Sequence, residues 1–216
     1  MKRLIIILVA LVLCQSAQAL LCDDNTIQTR VDKVGYDILN ANKIQKRMIF
    51  VYTKDQKKKE LSVDKALTDR QIIVYDELAA MLSREISTAV KSYDGMWGGK
   101  LDSIEVTLGA KKFETVADKR AVDYMVNAGY NPLALIVYIH KTCPQKRGDK
   151  IGRHNLTSKR LARIYEYITY KYPNYLINNQ YLDNEYYQNF LLTSVENRKK
   201  LEEKIKTNSK KEVDYE

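Results

Sequence analysis

Histidine and cysteine are scarce in this chain, and no long apolar run follows its first residues. His140 and His154 are the only histidines among 216 residues. A metal site built on several imidazoles is therefore excluded. Cys14, Cys22 and Cys143 are the only cysteines. No G-x-S-x-G, Walker loop or C-x-x-C motif occurs. The sequence thus offers no nucleophile elbow, phosphate-cradling loop or dithiol redox pair. Aromatic-interleaved basic motifs are absent too, so nucleic acid is not an expected partner. No internal repeat is visible. His140 and Cys143, three positions apart, hint at a thiol pair, but such spacing is common by chance.

What is present begins with a targeting pattern. Lys2 and Arg3 precede an unbroken apolar run from Leu4 to Leu13, too short to span a bilayer well. Ala17-Gln18-Ala19 then supplies the small-x-small pattern of a cleavage site. The expectation is a signal peptide over 1–19, cleavage after Ala19, and export to a periplasmic or extracellular location. A lipoprotein is the second reading, although Leu precedes both Cys14 and Cys22 where processing wants a small residue. No later segment is apolar enough to cross a membrane. Removing Lys2 and Arg3 lowers the net charge from +9 to +7. That surplus favours weak contact with anionic envelope surfaces or acidic proteins, or else is a solvated basic surface. Cys22 and Cys143 remain, either as one disulfide or as two free thiols.

Apolar residues make up 45% of the chain and charged residues 29%, a globular balance. Ile27, Val31, Val34 and Ile38 recur at helical spacing and predict a helix over 26–43. "RMIFVYT" (47–53) and "QIIVY" (71–75) read as short strands. A helix with Leu78, Leu82 and Ile86 inward follows, Asp76 being its candidate N-cap and Gly95 its stop. A long helical pattern over about 103–128 carries Phe113, Ala117, Ala121 and Tyr124 on one face and ends at Gly129. Pro132 opens another helix, running to about Thr142. Thr157 or Ser158 caps the next, with Leu161, Ile164 and Ile168 inward. Residues 165–187 hold eight of the sixteen tyrosines, read as helix-end packing with hydroxyls facing water, or as a recognition surface. The expected fold is a single α+β domain, mostly α, with a small β-sheet, over 20–183. A charged, helical tail occupies 184–216, its last ten residues frayed.

Three blocks carry a resemblance. "DELAAMLSREIS" (76–87), "FETVADKRAVDYMVNAGYNPLALI" (113–136) and "GRHNLTSKRLARI" (152–164) resemble, in order, the metal-site segments of gluzincin zinc metalloendopeptidases. The type is that of HtpX and the CAAX prenyl proteases, in its soluble exported branch. In that family an H-E-x-x-H helix puts two imidazoles on one face, one turn apart, and the Glu activates a zinc-bound water. Here the ligand positions are Arg84 and Thr88. The resemblance places the general base at Glu85, the third ligand at Glu114, and a supporting carboxylate behind the ligands at Asp118. His154 matches a histidine lying near the metal in some relatives, with Asn155 in place of its proline neighbour. Each residue has an ordinary alternative. Glu85 can be a solvent-facing helical Glu. Glu114 and Asp118 can pair with Lys111, Lys112 or Arg120. His154 can be a capping or surface histidine, and His140 suits the end of a helix.

Zinc wants three protein donors and a water. Glu114 and His154 are too few, and taking Glu85 as a ligand removes the base. Arginine is a fixed cation that repels a metal. The resemblance therefore implies a pseudopeptidase without a cofactor, binding protein or peptide partners in the cell envelope. The alternatives are an active zinc enzyme using Glu114 and His154 with Glu85 as base, and a basic non-enzymatic envelope adaptor.

Overall fold

The computed structural model of the protein describes residues 24–52, 75–93, 110–143 and 156–216. Their regular structure is helical: α1 (Asp24–Ala41), α2 (Tyr75–Tyr93), α3 (Ala110–Asn127), α4 (Ala134–Thr142), α5 (Thr157–Lys171), α6 (Asn174–Ile177), α7 (Glu185–Thr193) and α8 (Val195–Lys206). The mostly helical character expected from the periodicity is present. Among the described residues there is no β-strand. Residues 47–52 have no regular structure apart from one bridge residue at Val51. Of the second expected strand only Tyr75 is described, and it opens α2. The leader, Cys22, Gly95 and His154 lie outside the described residues. None of the described helices is long and apolar enough to cross a membrane.

α2 is the central element. Leu78, Leu82 and Ile86 are buried as the spacing predicts, but so are Ala79, Ala80, Met81, Ser83 and Ser87. A helix buried beyond one stripe is a core helix, and α2 packs against α1, α3 and α4. The cost of that burial shows at Ser83 and Ser87, whose hydroxyls are enclosed without a hydrogen-bond partner. α1 covers α2 with Val31, Val34 and Ile38 inward. Gly35 has a steric role on α1, because a Cβ there would stand 2.4 Å from the ring of the buried Phe50.

Helix ends set the path of the chain. At the end of α3, Gly129 adopts φ 81°, Tyr130 N–H donates to Met125 O and Gly129 N–H to Val126 O. This paired closure is the C′ glycine signal read from the sequence. α1 ends the same way on Lys43, at φ 53°, a conformation in which a side chain is strained. The proposed N-caps are corrected. Asp76 lies inside α2, and its carboxylate instead accepts from Asn131 N–H (3.1 Å) and the Tyr181 hydroxyl (3.3 Å). Thr157 is the first residue of α5, and its hydroxyl donates to Cys143 O at 2.8 Å.

The tyrosine-rich stretch is also corrected in part. Tyr181 and Tyr187 are buried. The Tyr167 and Tyr172 hydroxyls donate to Asp123 on α3 rather than facing only water. α7 adds Tyr187 and Phe190 to the same core as α1–α5. The last ten residues are not frayed: Tyr215 is 2% exposed and is held against the helices.

Candidate functional site

The α2–α3 contact brings the three sequence blocks together on one carboxylate. Asp118, on α3, is 2% exposed. Arg160, from the first turn of α5, donates Nε–H to Asp118 Oδ2 and Nη2–H to Oδ1, both at 2.9 Å. Arg84, from α2, donates Nε–H to the same Oδ1 at 3.2 Å. One carboxylate thus accepts a two-pronged bond from one guanidinium and a third bond from another. Three helices are tied at this point.

The clamp is buried unevenly. Side-chain exposure is 3% for Asp118, 6% for Arg160 and 21% for Arg84. Burial works against the Arg160 charge, and the Asp118 carboxylate more than offsets it, so the pKa of the guanidinium stands above its ordinary value. The charge of Glu114 acts in the same direction. Two cations on one buried anion would be costly alone, so further carboxylates nearby are what the electrostatics require. Glu85 supplies one: its Oε1 lies 3.6 Å from Arg84 Nη1, with 43% of the side chain exposed.

The other expected positions fall as follows. Thr88 donates its hydroxyl to Arg84 O at 3.0 Å, one turn back on its own helix. Threonine is in any case a poor zinc donor beside histidine, cysteine and carboxylate. Glu114 is half-buried on α3, one turn before Asp118. Asp118 pairs with Arg84 and Arg160; the side chains of Lys111 and Lys112 lie outside the described residues. Among the described residues no group of three or more histidines, cysteines or acids is gathered as a metal site.

Two residues of this region were not singled out by sequence reasoning. Arg160 is one. It stands one turn before Ile164 and two before Ile168 on the inward stripe of α5. A lone arginine on an apolar stripe calls for a buried acid, and that was the available signal. Tyr138 on α4 is the other. Burial pushes its phenol up to about 12, with Arg84 lowering it and Glu85 raising it. α4 is fixed against α2 by a second buried pair, Lys141 Nζ to both Glu77 oxygens at 2.9 and 2.7 Å. Burial raises the Glu77 pKa, and Lys141 opposes it.

Next to this region lies a cavity of about 330 Å³ between α4, α5, α7 and α8, lined by residues including His140, Cys143, Leu161, Phe190 and Asn197. Burial lowers the His140 pKa, which favours the neutral ring over the helix-end cation expected from the sequence.

No protein-family model, curated protein or solved structure matches the chain.

Proposed function

We propose that this chain is an exported, catalytically silent relative of the gluzincin metalloendopeptidases, working by binding protein or peptide partners in the cell envelope. The observation that carries the reading is the convergence on Asp118. The three blocks that carry the resemblance each contribute a residue to one contact: Arg84 from the first, Asp118 from the second, Arg160 from the third. Segments 34 and 42 positions apart meet as parts of one site would.

The residues do not fit zinc. A guanidinium occupies the first ligand position and donates to the carboxylate that the resemblance places behind that ligand. A donor with a fixed positive charge cannot coordinate a cation. At the second position Thr88 offers a neutral hydroxyl, a poor zinc donor, which donates to Arg84 O on its own helix. No hydrolytic step follows from this arrangement, and Glu85 has no metal-bound water to activate. The fold proposed with this reading includes a small sheet formed by the 47–53 and 71–75 segments.

Reinstating the imidazoles tests the reading. The Arg84→His, Thr88→His double variant is expected to gain zinc affinity by orders of magnitude over the wild type, measured by competition with a chromophoric chelator. A folded double variant with wild-type zinc affinity would remove Glu114 as third ligand and the resemblance with it.

A further inference from the structure

The carboxyl-terminal segment of the sequence lies in a groove of its own making. α8 closes with Asn208 at φ 48°, Ser209 N–H donating to Lys204 O and Asn208 N–H to Ile205 O. This is the same paired closure as at Gly129, with asparagine in the left-handed position. It reverses the chain, and the following residues run back along α8 towards its start.

Four features hold the returning segment, and each resembles peptide recognition more than tail packing. First, Asn197 on α8 reads its backbone: Nδ2–H donates to Glu216 O at 2.8 Å, and Oδ1 accepts Glu216 N–H at 3.0 Å. A side-chain amide that pairs with both polar groups of one residue mimics a neighbouring strand. Asn197 is itself 7% exposed, so its amide is fixed for this task. Second, Tyr215 is a buried aromatic anchor, 2% exposed. Burial raises the pKa of its phenol, and the Glu166 carboxylate on α5 raises it further. Third, Lys200 donates to the Asp214 carbonyl at 3.2 Å and to the Glu216 carboxylate at 2.7 Å. Fourth, the rim is basic where the segment is acidic. Lys159 meets Asp214 at 3.2 Å, and Arg163 meets Glu212 at 3.4 Å. The segment also spans a hollow of about 270 Å³ against α8.

The acidic side chains of the segment are nearly free in water: Glu212 is 81% exposed, Asp214 96% and Glu216 86%. Ion pairs so exposed supply selection by charge and little affinity. Affinity rests on the tyrosine anchor and the backbone pair. An exchangeable ligand needs that division, a specific anchor with a weakly held flank.

We propose that the α5–α8 groove is a recognition site for an extended acidic peptide carrying a tyrosine, of the pattern Glu-x-Asp-Tyr-Glu, and that the chain's own 212–216 segment occupies it in cis. The partner is a protein presenting such a strand, which enters when the segment leaves. The proposal is independent of the metallopeptidase resemblance, because none of its residues belongs to the Asp118 clamp.

The test uses the full chain and a fluorescein-labelled Glu-Val-Asp-Tyr-Glu peptide, read by fluorescence anisotropy. A tethered competitor acts at millimolar effective concentration and masks the groove in the wild type. Tyr215→Ala, which takes the anchor off the tethered copy alone, is expected to bind the peptide at least about tenfold more tightly than the wild type. Adding Asn197→Ala is expected to abolish that gain, and a peptide with Ala for Tyr should not bind. Equal affinity in wild type and Tyr215→Ala, or a gain that survives Asn197→Ala, overturns the proposal. Should Tyr215→Ala not fold, hydrogen exchange on the wild type decides. Millimolar peptide should speed exchange at the Glu216 amide, which donates to Asn197, and unchanged exchange at saturating peptide overturns it.

Discussion

The Asp118 clamp and the Glu212–Glu216 strap are both built from acids held by lysine or arginine, yet they do opposite work. In the clamp, three charged side chains are largely withdrawn from water, at 3%, 6% and 21% exposure. In the strap, the carboxylates are 81–96% exposed. Charge in a low-dielectric interior binds strongly when paired and costs heavily when stranded. At the surface it is screened and worth little. Burial, not the number of ion pairs, therefore decides which region is fixed and which is exchangeable. The clamp ties α2, α3 and α5 through buried charge, whereas the strap rests on the Tyr215 anchor and the Asn197 pair, the contacts an exchange would have to break.

Substitutions should separate the two regions in order of size. Arg160→Ala strands the Asp118 carboxylate on its two-pronged side, and is expected to lower stability by about 3–5 kcal/mol in urea unfolding. A loss below ~1 kcal/mol would mean that the clamp is a surface pair in solution. Arg84→Ala should cost less, about 1–3 kcal/mol, because Arg160 still holds both Asp118 oxygens. In a double-mutant cycle the two arginines should be non-additive, since they share Oδ1.

In the strap, Lys200→Ala should change global stability by under ~1 kcal/mol. Raising salt to about 1 M should shrink even that difference, while leaving the Arg160→Ala loss largely in place. Equal salt sensitivity of both variants would mean that the clamp and the strap are equally exposed to solvent.

Acid provides the mildest probe. The Lys200 bond lowers the Glu216 pKa below its ordinary 4.5. The folded segment therefore binds fewer protons than the free one, and the stabilising contribution is present above about 4.5. It is lost as pH falls through the lower folded value. Exchange at the Glu216 amide, corrected for its intrinsic pH dependence, should lose protection as the pH falls through that lower value in the wild type. Lys200→Ala should remove the effect, and identical profiles for wild type and variant would contradict it.

Much of the helical frame was legible. Leu78, Leu82 and Ile86 face the core at helical spacing, as do Val31, Val34 and Ile38. Gly129 ends α3 because only the left-handed region closes that motif cheaply. Asn208 ends α8 by the same geometry, but it sits in a charged stretch with no change of period to mark it, so the reversal and the docked strap went unread. The sequence showed which residues stand at the ligand positions, Arg84 and Thr88, and not which carboxylate Arg84 meets. Glu114 and Asp118 share a helix face one turn apart, and spacing alone does not choose between them. The structure pairs Arg84 with Asp118, the deeper of the two, where an unpaired charge would cost most. The 47–52 segment has one bridge residue, Val51, and packs Met48 and Phe50 against the helices.

We propose that the Arg84 guanidinium stands in place of the metal of a peptidase-like site. Elemental analysis of the purified protein, prepared without chelators and equilibrated with excess zinc before desalting, tests this. The expected result is far less than one zinc per chain, unchanged by Glu114→Ala. One zinc per chain, lost on Glu114→Ala, would show that Arg84 does not hold the metal's place and would contradict the account.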